Sequence, residues 1–295
     1  MRVAEIVPQV AIRNIAVATD FTECTERALE HSMAVARHFG ASLHVLHLVR
    51  PSAFPFSADM IPALDDAAVR DCDRLIDRLH RAHQLDGIDL HRHVLQGEIR
   101  DFVADFVREQ RIDLVVVGTH GRSGLPRLVH GSVAQQIFQS VRCPVLAVGP
   151  QSPGAASRLQ LKRTLFCTDL SRESLAAIPY IVTVTRMWHT GLDVLHVCAE
   201  ARAEHARSLS AIGSRLDALL QGSEHASLSS HLLTGKPASC VLQFAHDHQA
   251  DLIIFGLKAH LYSASPWSHA YEIVRHAECP VLSIRTAASP PAGSA

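Results

Sequence analysis

The sequence predicts an α/β protein of two tandem domains, each with a parallel β-sheet covered by helices on both faces. Two observations carry this prediction. Short apolar stretches that are typical of buried strands alternate along the chain with amphipathic stretches of helical period. The same succession of segments also occurs twice, since RNIAVATDFTECTERAL from Arg13 is matched by KRTLFCTDLSRESLAAI from Lys162.

The repeat continues in one order through both halves. LHVLHLV from Leu43 is matched by LDVLHVC from Leu192, the segment ending DLVVVG at Gly118 by the one ending DLIIFG at Gly256, and CPVLAV by CPVLSI. The chain therefore consists of two modules of ordinary domain size. We place the domains at residues 1–150 and 162–286, a Ser/Pro/Gly/Ala-rich exposed linker at 151–161 and a disordered tail at 287–295.

The elements of the first half follow from the apolar pattern. Thr22 is the expected N-cap of the first helix, whose apolar positions recur at core spacing. The Pro- and Phe-rich segment that begins at Pro51 is either a mobile flap or an ordinary surface loop. We expect strands at Ile15–Thr19, Leu43–Val49, Leu90–Leu95, Leu114–Val117 and Val145–Val148, and helices at Cys24–Phe39, Ala63–His83, Ile99–Arg111 and Ser132–Val141.

Composition and charge exclude several classes of protein. Apolar residues make up 47% of the chain and charged ones 19%, with a formal net charge of -1, which favours a globular protein and predicts no nucleic-acid partner. The chain has seven cysteines without a disulfide framework, no secretory h-region after Met1 and no apolar run of membrane-spanning length. We therefore predict a cytoplasmic protein without a membrane partner.

The stretch from Asp113 to Val133, DLVVVGTHGRSGLPRLVHGSV, has the form of a buried strand, a glycine-bearing loop and a helix start. Unpaired amides at a helix N-terminus carry partial positive charge and bind phosphate without a special side chain. Glycines at 118, 121 and 131 frame Arg122 and Arg127, which favours an anion site over a connection that only turns the chain.

These residues resemble a known family. The spacing Gly118, two residues, Gly121, nine residues, Gly131-Ser132 is similar to the nucleotide-binding signature of the universal stress protein family. Asp20 at the end of the first strand and the terminal strand CPVLAV strengthen the resemblance, because all three pieces fall in the family's order. The resemblance implies Rossmann-like domains of the adenine nucleotide alpha hydrolase-like class, with strand order 3-2-1-4-5.

The resemblance also implies the ligand, which is ATP (or ADP or AMP) with Mg²⁺ or Mn²⁺ bridging the phosphates. For Asp20 the alternative is a turn or helix-capping carboxylate, since it recurs as Asp169. His120, within the loop, contacts the ligand or faces solvent. The residues carried over as nucleotide contacts are Ala18, Thr19, Asp20, Leu48, Val117, Gly118, Thr119, His120, Gly121, Arg127, Gly131, Ser132 and Val133.

The second half departs from this signature. Gly121 aligns with Ala259 and Gly131 with Trp267, whose side chain should block the close approach of a phosphate to the backbone. We therefore expect one nucleotide per chain, in the N-terminal half. Family members usually pair through the last strand, so we expect the two halves to pair with each other, while a homodimer and an unknown protein partner stay open.

No catalytic or metal constellation stands out in the sequence. The P-loop motif GxxxxGK[ST] and the GxGxxG motif are both absent, and the 20 histidines show no recognised zinc spacing, so we predict neither catalytic nor metal-ligating residues. His91 and His93 should share one face of a strand. We expect a nucleotide-binding stress sensor or regulatory module; the alternatives are a slow ATPase or adenylate-handling enzyme and a scaffold that binds no ligand.

Overall fold

The computed structural model of this protein forms two compact units, one within residues 11–159 and the other from residue 160 onward. The residues that the structure describes are 10–49, 60–82, 84–96, 99–119, 133–155, 160–222, 227–257 and 267–285.

The first unit is a five-stranded sheet in the order β3-β2-β1-β4-β5, in which every neighbouring pair is parallel. The predicted strand order 3-2-1-4-5 is confirmed. Its elements are β1 (Asn14–Thr19), α1 (Glu23–Phe39), β2 (Ser42–Val49), α2 (Met60–Arg81), β3 (Leu90–Gln96), α3 (Ile99–Glu109), β4 (Leu114–Gly118), α4 (Val133–Ser140) and β5 (Val145–Val148).

The second unit repeats this architecture in the order β8-β7-β6-β9-β10, again with parallel neighbours. A 3-10 turn at Ser174–Ala177 precedes its first α-helix. Its elements are β6 (Arg163–Cys167), α5 (Ile178–Trp188), β7 (Gly191–Cys198), α6 (Ala203–Leu220), β8 (Leu228–Thr234), α7 (Pro237–Asp247), β9 (Leu252–Leu257), α8 (Trp267–His276) and β10 (Val281–Arg285).

Equivalent polar contacts begin the central strand of both sheets. The Asp113 carboxylate accepts hydrogen bonds from the backbone amides of Arg13 and Asn14 at 2.8 and 3.0 Å. In the second unit, Asp251 accepts from Lys162 and Arg163 at 2.7 and 2.9 Å. The duplication read from the sequence is therefore present in side-chain detail as well as in topology.

Helix α1 shows why its sequence forms this element. Thr22 is the N-cap, as predicted, and its amide donates to the Thr25 hydroxyl at 3.1 Å, which satisfies a group that the helix itself leaves unpaired. The predicted apolar face is buried, with Leu29 and Met33 each 3% exposed. Burying each such side chain contributes about 1.5 to 3 kcal/mol. Gly40 ends the helix in the left-handed conformation, φ 64°.

Helix α2 begins earlier than the sequence suggests. Its first residue is Met60 rather than Ala63, so part of the segment expected to be a flap or loop is helical. Pro62 lies in the first turn, where an amide hydrogen has no helical partner and its absence costs little. Residues 51–59 of that segment lie outside the described residues.

The connection after β5, within the linker expected at 151–161, is exposed at Gln151, Pro153 and Gly154 but packed in part. Ser152 and Ala155 are buried, as is Leu161 in the second unit. Side chains of α1 hold the first part of the connection, because His31 Nε2 lies 3.0 Å from the Pro153 carbonyl oxygen and Arg27 donates to that of Ser152 at 3.1 Å. Composition alone did not reveal these partners.

Among the described helices, none combines the length and the apolar character needed to cross a bilayer.

Candidate functional site

The carboxyl ends of β1 and β4 lie side by side in the first unit. Ala18 and Val117 are register partners on these strands. Asp20 after β1 therefore lies close to Gly118 at the end of β4 and to Thr119 after it, at the carboxyl end of the sheet. Ligands of open α/β sheets bind at such strand ends. The structure thus brings together the predicted nucleotide contacts at the ends of these two strands, which are Ala18, Thr19, Asp20, Val117, Gly118 and Thr119.

The turn after β1 is held by its own side chains. Asp20 Oδ1 accepts from the Thr22 amide at 3.1 Å and from the Thr22 and Thr25 hydroxyls at 2.6 and 3.2 Å. Phe21 adopts φ 62° and donates its amide to the Thr19 hydroxyl at 3.1 Å. Asp20 therefore serves as a turn carboxylate, one of the alternative roles that the sequence left open, while the cap of α1 is Thr22.

The same turn occurs in the second unit. Leu170 has φ 64° and donates its amide to the Thr168 hydroxyl at 3.0 Å, while the Ser171 amide donates to Asp169 Oδ1 at 2.9 Å. A left-handed residue that is not glycine is costly, and these hydrogen bonds offset the cost in both halves.

Gly118 is required by packing at the end of β4. A Cβ atom at this position would lie 3.1 Å from the Cys24 carbonyl oxygen in the first turn of α1. The equivalent Gly256 is more crowded, because its Cβ would lie 2.6 Å from both the Glu173 carbonyl oxygen and the Ser174 Cα. Glycine at this position therefore allows the sheet to approach the first turn of α1 in the first unit and the 3-10 turn at Ser174–Ala177 in the second.

Thr119 is buried, and its amide donates to the Val148 carbonyl oxygen at 3.0 Å. This amide is therefore engaged by the protein rather than left for an anion. Val133 is the first residue of α4, so the predicted Gly131-Ser132 pair directly precedes a helix. The predicted contacts that lie outside the described residues are His120, Gly121, Arg127, Gly131 and Ser132.

His47 and Leu48 lie near the end of β2 and point to opposite faces of the sheet. His47 Nδ1 lies 2.8 Å from the Thr19 carbonyl oxygen, and its ring packs on Phe21 with centroids 4.6 Å apart. Since a carbonyl oxygen only accepts, Nδ1 carries the proton. Leu48, the expected adenine contact, is half-buried and pairs in register with Leu95 of β3.

A groove of about 350 Å³ lies between α1 and α2 beside Thr19 and Phe21. The arginines on its rim are both paired: Arg74 with Asp71 at 3.0 Å and Arg78 with Glu26 at 2.7 Å. These exposed ion pairs reduce the positive charge that the groove offers to an anion. The groove therefore adds no phosphate-binding group to the strand-end site.

A histidine cluster lies on β2 and β3. His91 and His93 share one strand face, as predicted, and both stack against His44, with centroids 4.8 and 5.2 Å away. His44 Nδ1 lies 3.0 Å from His93 Nε2. Burial, together with the neighbouring His93 and His91, lowers the pKa of His44 to about 4, so its ring is neutral at physiological pH.

The second unit contains a cluster that the sequence reading missed. Ligand atoms of His196, Cys198 and His205 lie within 4.8 Å of one another. His196 and Cys198 lie at the C-terminal end of strand β7, and His205 lies in the first turn of helix α6. Their H-x-C…H spacing matches no recognised zinc motif. Only the approach of the helix to the strand end brings His205 to the other two.

Comparison with known proteins agrees with the two Rossmann-like α/β modules that the fold defines. The sequence profile of the universal stress protein family matches residues 11–149 and 160–285. Since these two segments cover most of the chain, the chain belongs to the universal stress protein family.

Relatives match one module at a time. A universal stress protein of Methanocaldococcus jannaschii is 26% identical over 142 residues, which are 46% of this chain and 81% of the relative. A universal stress protein A homolog of Coxiella burnetii is 29% identical over 140 residues, 46% of this chain and 95% of the relative.

Solved structures match the fold over nearly the full length. A universal stress protein from Archaeoglobus fulgidus has a TM-score of 0.74, covering 92% of this chain and 98% of that chain at 17% identity. A protein from Pseudomonas aeruginosa described as a putative universal stress protein has a TM-score of 0.60 at 14% identity, covering 93% and 94%. At these identities the likeness shows the fold alone.

Proposed function

We propose that the N-terminal half binds one adenine nucleotide, ATP in the first place or else ADP or AMP, and that the protein is a stress-response sensor or regulatory module. The bound nucleotide would contact the segment between Gly118 and Ser132 and so change a surface that a partner recognises. The function rests on recognition by main-chain amides rather than on a charged catalytic group.

One contrast between the halves carries this proposal. In the first half, Gly131 and Ser132 directly precede α4, which begins at Val133. In the second half, the residue aligned with Gly131 is Trp267, the first residue of α8. A phosphate needs close access to the free amides at a helix start, which glycine permits and an indole side chain hinders.

The strand-end geometry supports a narrower contact set than the sequence alone. Ala18 and Val117 are neighbours beneath the proposed base and ribose. Asp20, Gly118 and Thr119 already serve the turn, the helix packing and a backbone hydrogen bond, so they shape the site's floor. The phosphates would be held by the Gly121 to Val133 segment, with Mg²⁺ or Mn²⁺ coordinated by phosphate oxygens and water.

Binding rather than hydrolysis is the activity we propose. Asp20 is the carboxylate that directly follows β1, next to β4. Its Oδ1 atom accepts three hydrogen bonds from the turn. A carboxylate fixed in this way is poorly suited to take a proton from an attacking water. Pairing of the halves through their last strands, homodimerisation, a protein partner and a cytoplasmic location stay predictions from the sequence.

Mass spectrometry of small molecules released from freshly purified protein tests the proposal. We expect an adenine nucleotide in near-equimolar amount with the chain. If the protein releases none and binds no added ATP, ADP or AMP, the scaffold alternative holds instead. The scaffold alternative is supported by the structural roles of Asp20, Gly118 and Thr119 in the turn, the helix packing and a backbone hydrogen bond.

A further inference from the structure

The cluster of His196, Cys198 and His205 in the second half has the features of a metal site. His196 is 6% exposed, and its Nε2 atom is buried without a hydrogen-bond partner. His205 Nδ1 is buried and unpartnered as well. Buried polar atoms are almost always satisfied in folded proteins, so two orphaned ring nitrogens beside one thiol call for an explanation.

The hydrogen bonding of His196 leaves the correct nitrogen available. Its Nδ1 lies 2.8 Å from the Thr168 carbonyl oxygen, which can only accept, so Nδ1 carries the proton of the neutral ring. Nε2 then holds the lone pair of the neutral ring, and this buried atom has no hydrogen-bond partner. Metal-binding histidines are oriented in this way, with the remote N–H donated to a backbone carbonyl.

The positions of the three residues are fixed by regular structure. The Thr168 amide donates to the Leu195 carbonyl oxygen at 2.9 Å, so the backbone that orients His196 is itself held by β7. Cys198 is the last residue of β7 and pairs in register with Thr234 of β8. His205 lies in the first turn of α6, where its amide donates to the Arg202 carbonyl oxygen at 3.0 Å.

We propose that His196 Nε2, Cys198 Sγ and His205 Nδ1 bind one zinc ion, leaving a fourth position for water or an external ligand. Imidazole nitrogen and thiolate sulfur are the ligands that zinc prefers, and three protein ligands with one open position form a known zinc arrangement. Zinc bonds of about 2.0 to 2.3 Å place tetrahedral ligand atoms about 3.3 to 3.7 Å apart. One ligand atom from each residue already lies within 4.8 Å of the other two, so the bound state requires an inward movement of side chains.

The first half supplies an internal reference for this site. His47 is the counterpart of His196 and makes the same 2.8 Å contact, with the Thr19 carbonyl oxygen. Val49, however, stands where the second half has Cys198, and the His47 ring packs on Phe21. The shared histidine thus belongs to the fold, and the thiol and His205 are the additions that make a metal site.

Cobalt titration of the full chain tests the proposal. Metal is removed with a chelator under reducing conditions, and Co²⁺ is added while absorption is recorded. We expect a thiolate-to-cobalt charge-transfer band that saturates at one equivalent and disappears when Zn²⁺ displaces the cobalt. A titration without a thiolate band, or without saturation near one equivalent, overturns the proposal.

A substitution taken from the other half identifies the ligand. Cys198→Val introduces the residue that the first half carries at the same place, so we expect an unchanged unfolding temperature of the metal-free protein. The charge-transfer band should vanish, and zinc affinity should fall by at least about 100-fold. The control is Cys240→Ser, which changes another cysteine of the same half and should keep both. If Cys198→Val retains the band, or Cys240→Ser loses it, the assignment is wrong.

Discussion

The two halves of this chain share a fold but differ at the places where ligands are proposed. Both keep the Thr-Asp turn with its left-handed third residue and the histidine that contacts the carbonyl oxygen of the threonine in that turn. Both also keep the glycine that makes room for the helical turn following the first strand. They differ at Gly131 and Trp267 and at Val49 and Cys198. The first difference marks the proposed nucleotide loop, and the second marks the proposed zinc site.

The comparison separates residues that build the fold from residues that bind. Asp20 and Gly118 are predicted ligand contacts, and each also has a counterpart with the same structural role in the second half. A residue that is kept where the ligand differs is explained by the fold. A residue that changes between equivalent sites is the better candidate for function.

The largest effect is expected when the residues at the starts of the two helices are exchanged between the halves. Gly131→Trp should weaken ATP binding by at least about 100-fold, or about 2.7 kcal/mol, because the indole hinders access to the helix amides. Isothermal titration calorimetry measures the change, and Trp267→Gly serves as the matched control with affinity unchanged. Loss of binding in Trp267→Gly, but not in Gly131→Trp, would reverse the assignment of the halves.

Adding one methyl group at the shared glycine should destabilise both halves unequally. Gly256→Ala should cost about 2 to 3 kcal/mol of unfolding free energy and Gly118→Ala about 1 kcal/mol, since overpacking against fixed backbone is costly. The order follows from the distances, 2.6 Å against 3.1 Å from the added Cβ to the nearest backbone atom. Urea unfolding measures both variants. Equal effects would contradict the packing explanation.

Acid should destabilise the first half through His44. The pKa of this histidine is lowered from 6.5 to about 4, chiefly by burial, so the unfolded chain takes up a proton that the folded chain refuses. Stability is therefore fully present above pH 6.5 and is lost as pH falls toward about 4, by about 1 to 2 kcal/mol. Urea midpoints at about pH 7 and about pH 4.5 reveal the loss.

The second half provides the control for this acid effect. At the position of His44 it has Asp193, which lies 2.9 Å from His231 and 2.6 Å from Arg163. Transferring that arrangement with His44→Asp and Asn14→Arg should remove most of the acid sensitivity, because protonating His93 would then create an attractive pair. An unchanged pH dependence in the double variant would show that His44 is not its source.

The smallest effect concerns the turn after the first strand of each half. Asp20→Ala and Asp169→Ala should each lower the free energy of unfolding by about 1 kcal/mol, because the carboxylate caps the turn. Asparagine at either position keeps the Oδ1 acceptor and should cost less. Thermal unfolding measures the four variants. If Asp169→Ala is destabilising while Asp20→Ala is neutral, Asp20 has no structural role and its ligand role must be reconsidered.

Much of the fold could be predicted because it depends on local pattern. The apolar runs gave the strands from Ile15 onward, Thr22 gave the start of α1, and the repeat gave two equivalent units. The strand order came from the family resemblance rather than from periodicity. The packed connection after Val148 escaped prediction because its partners, His31 and Arg27, lie on a helix far away in sequence.

The candidate sites were less accessible to sequence reasoning. The proposed zinc site depends on His205, which only tertiary packing brings to the end of β7. The crowding around Gly118 is likewise a tertiary property, so the packing role of this glycine was not visible in the motif. A motif read in one half gains its meaning only when the equivalent position in the other half is examined.

Calorimetric titration of the intact, nucleotide-free chain with ATP tests the central claim most directly, because it counts sites. The asymmetry between the halves predicts a single site per chain, and Gly131→Trp removes it. Two sites of similar affinity, or one site that survives Gly131→Trp, would contradict the account.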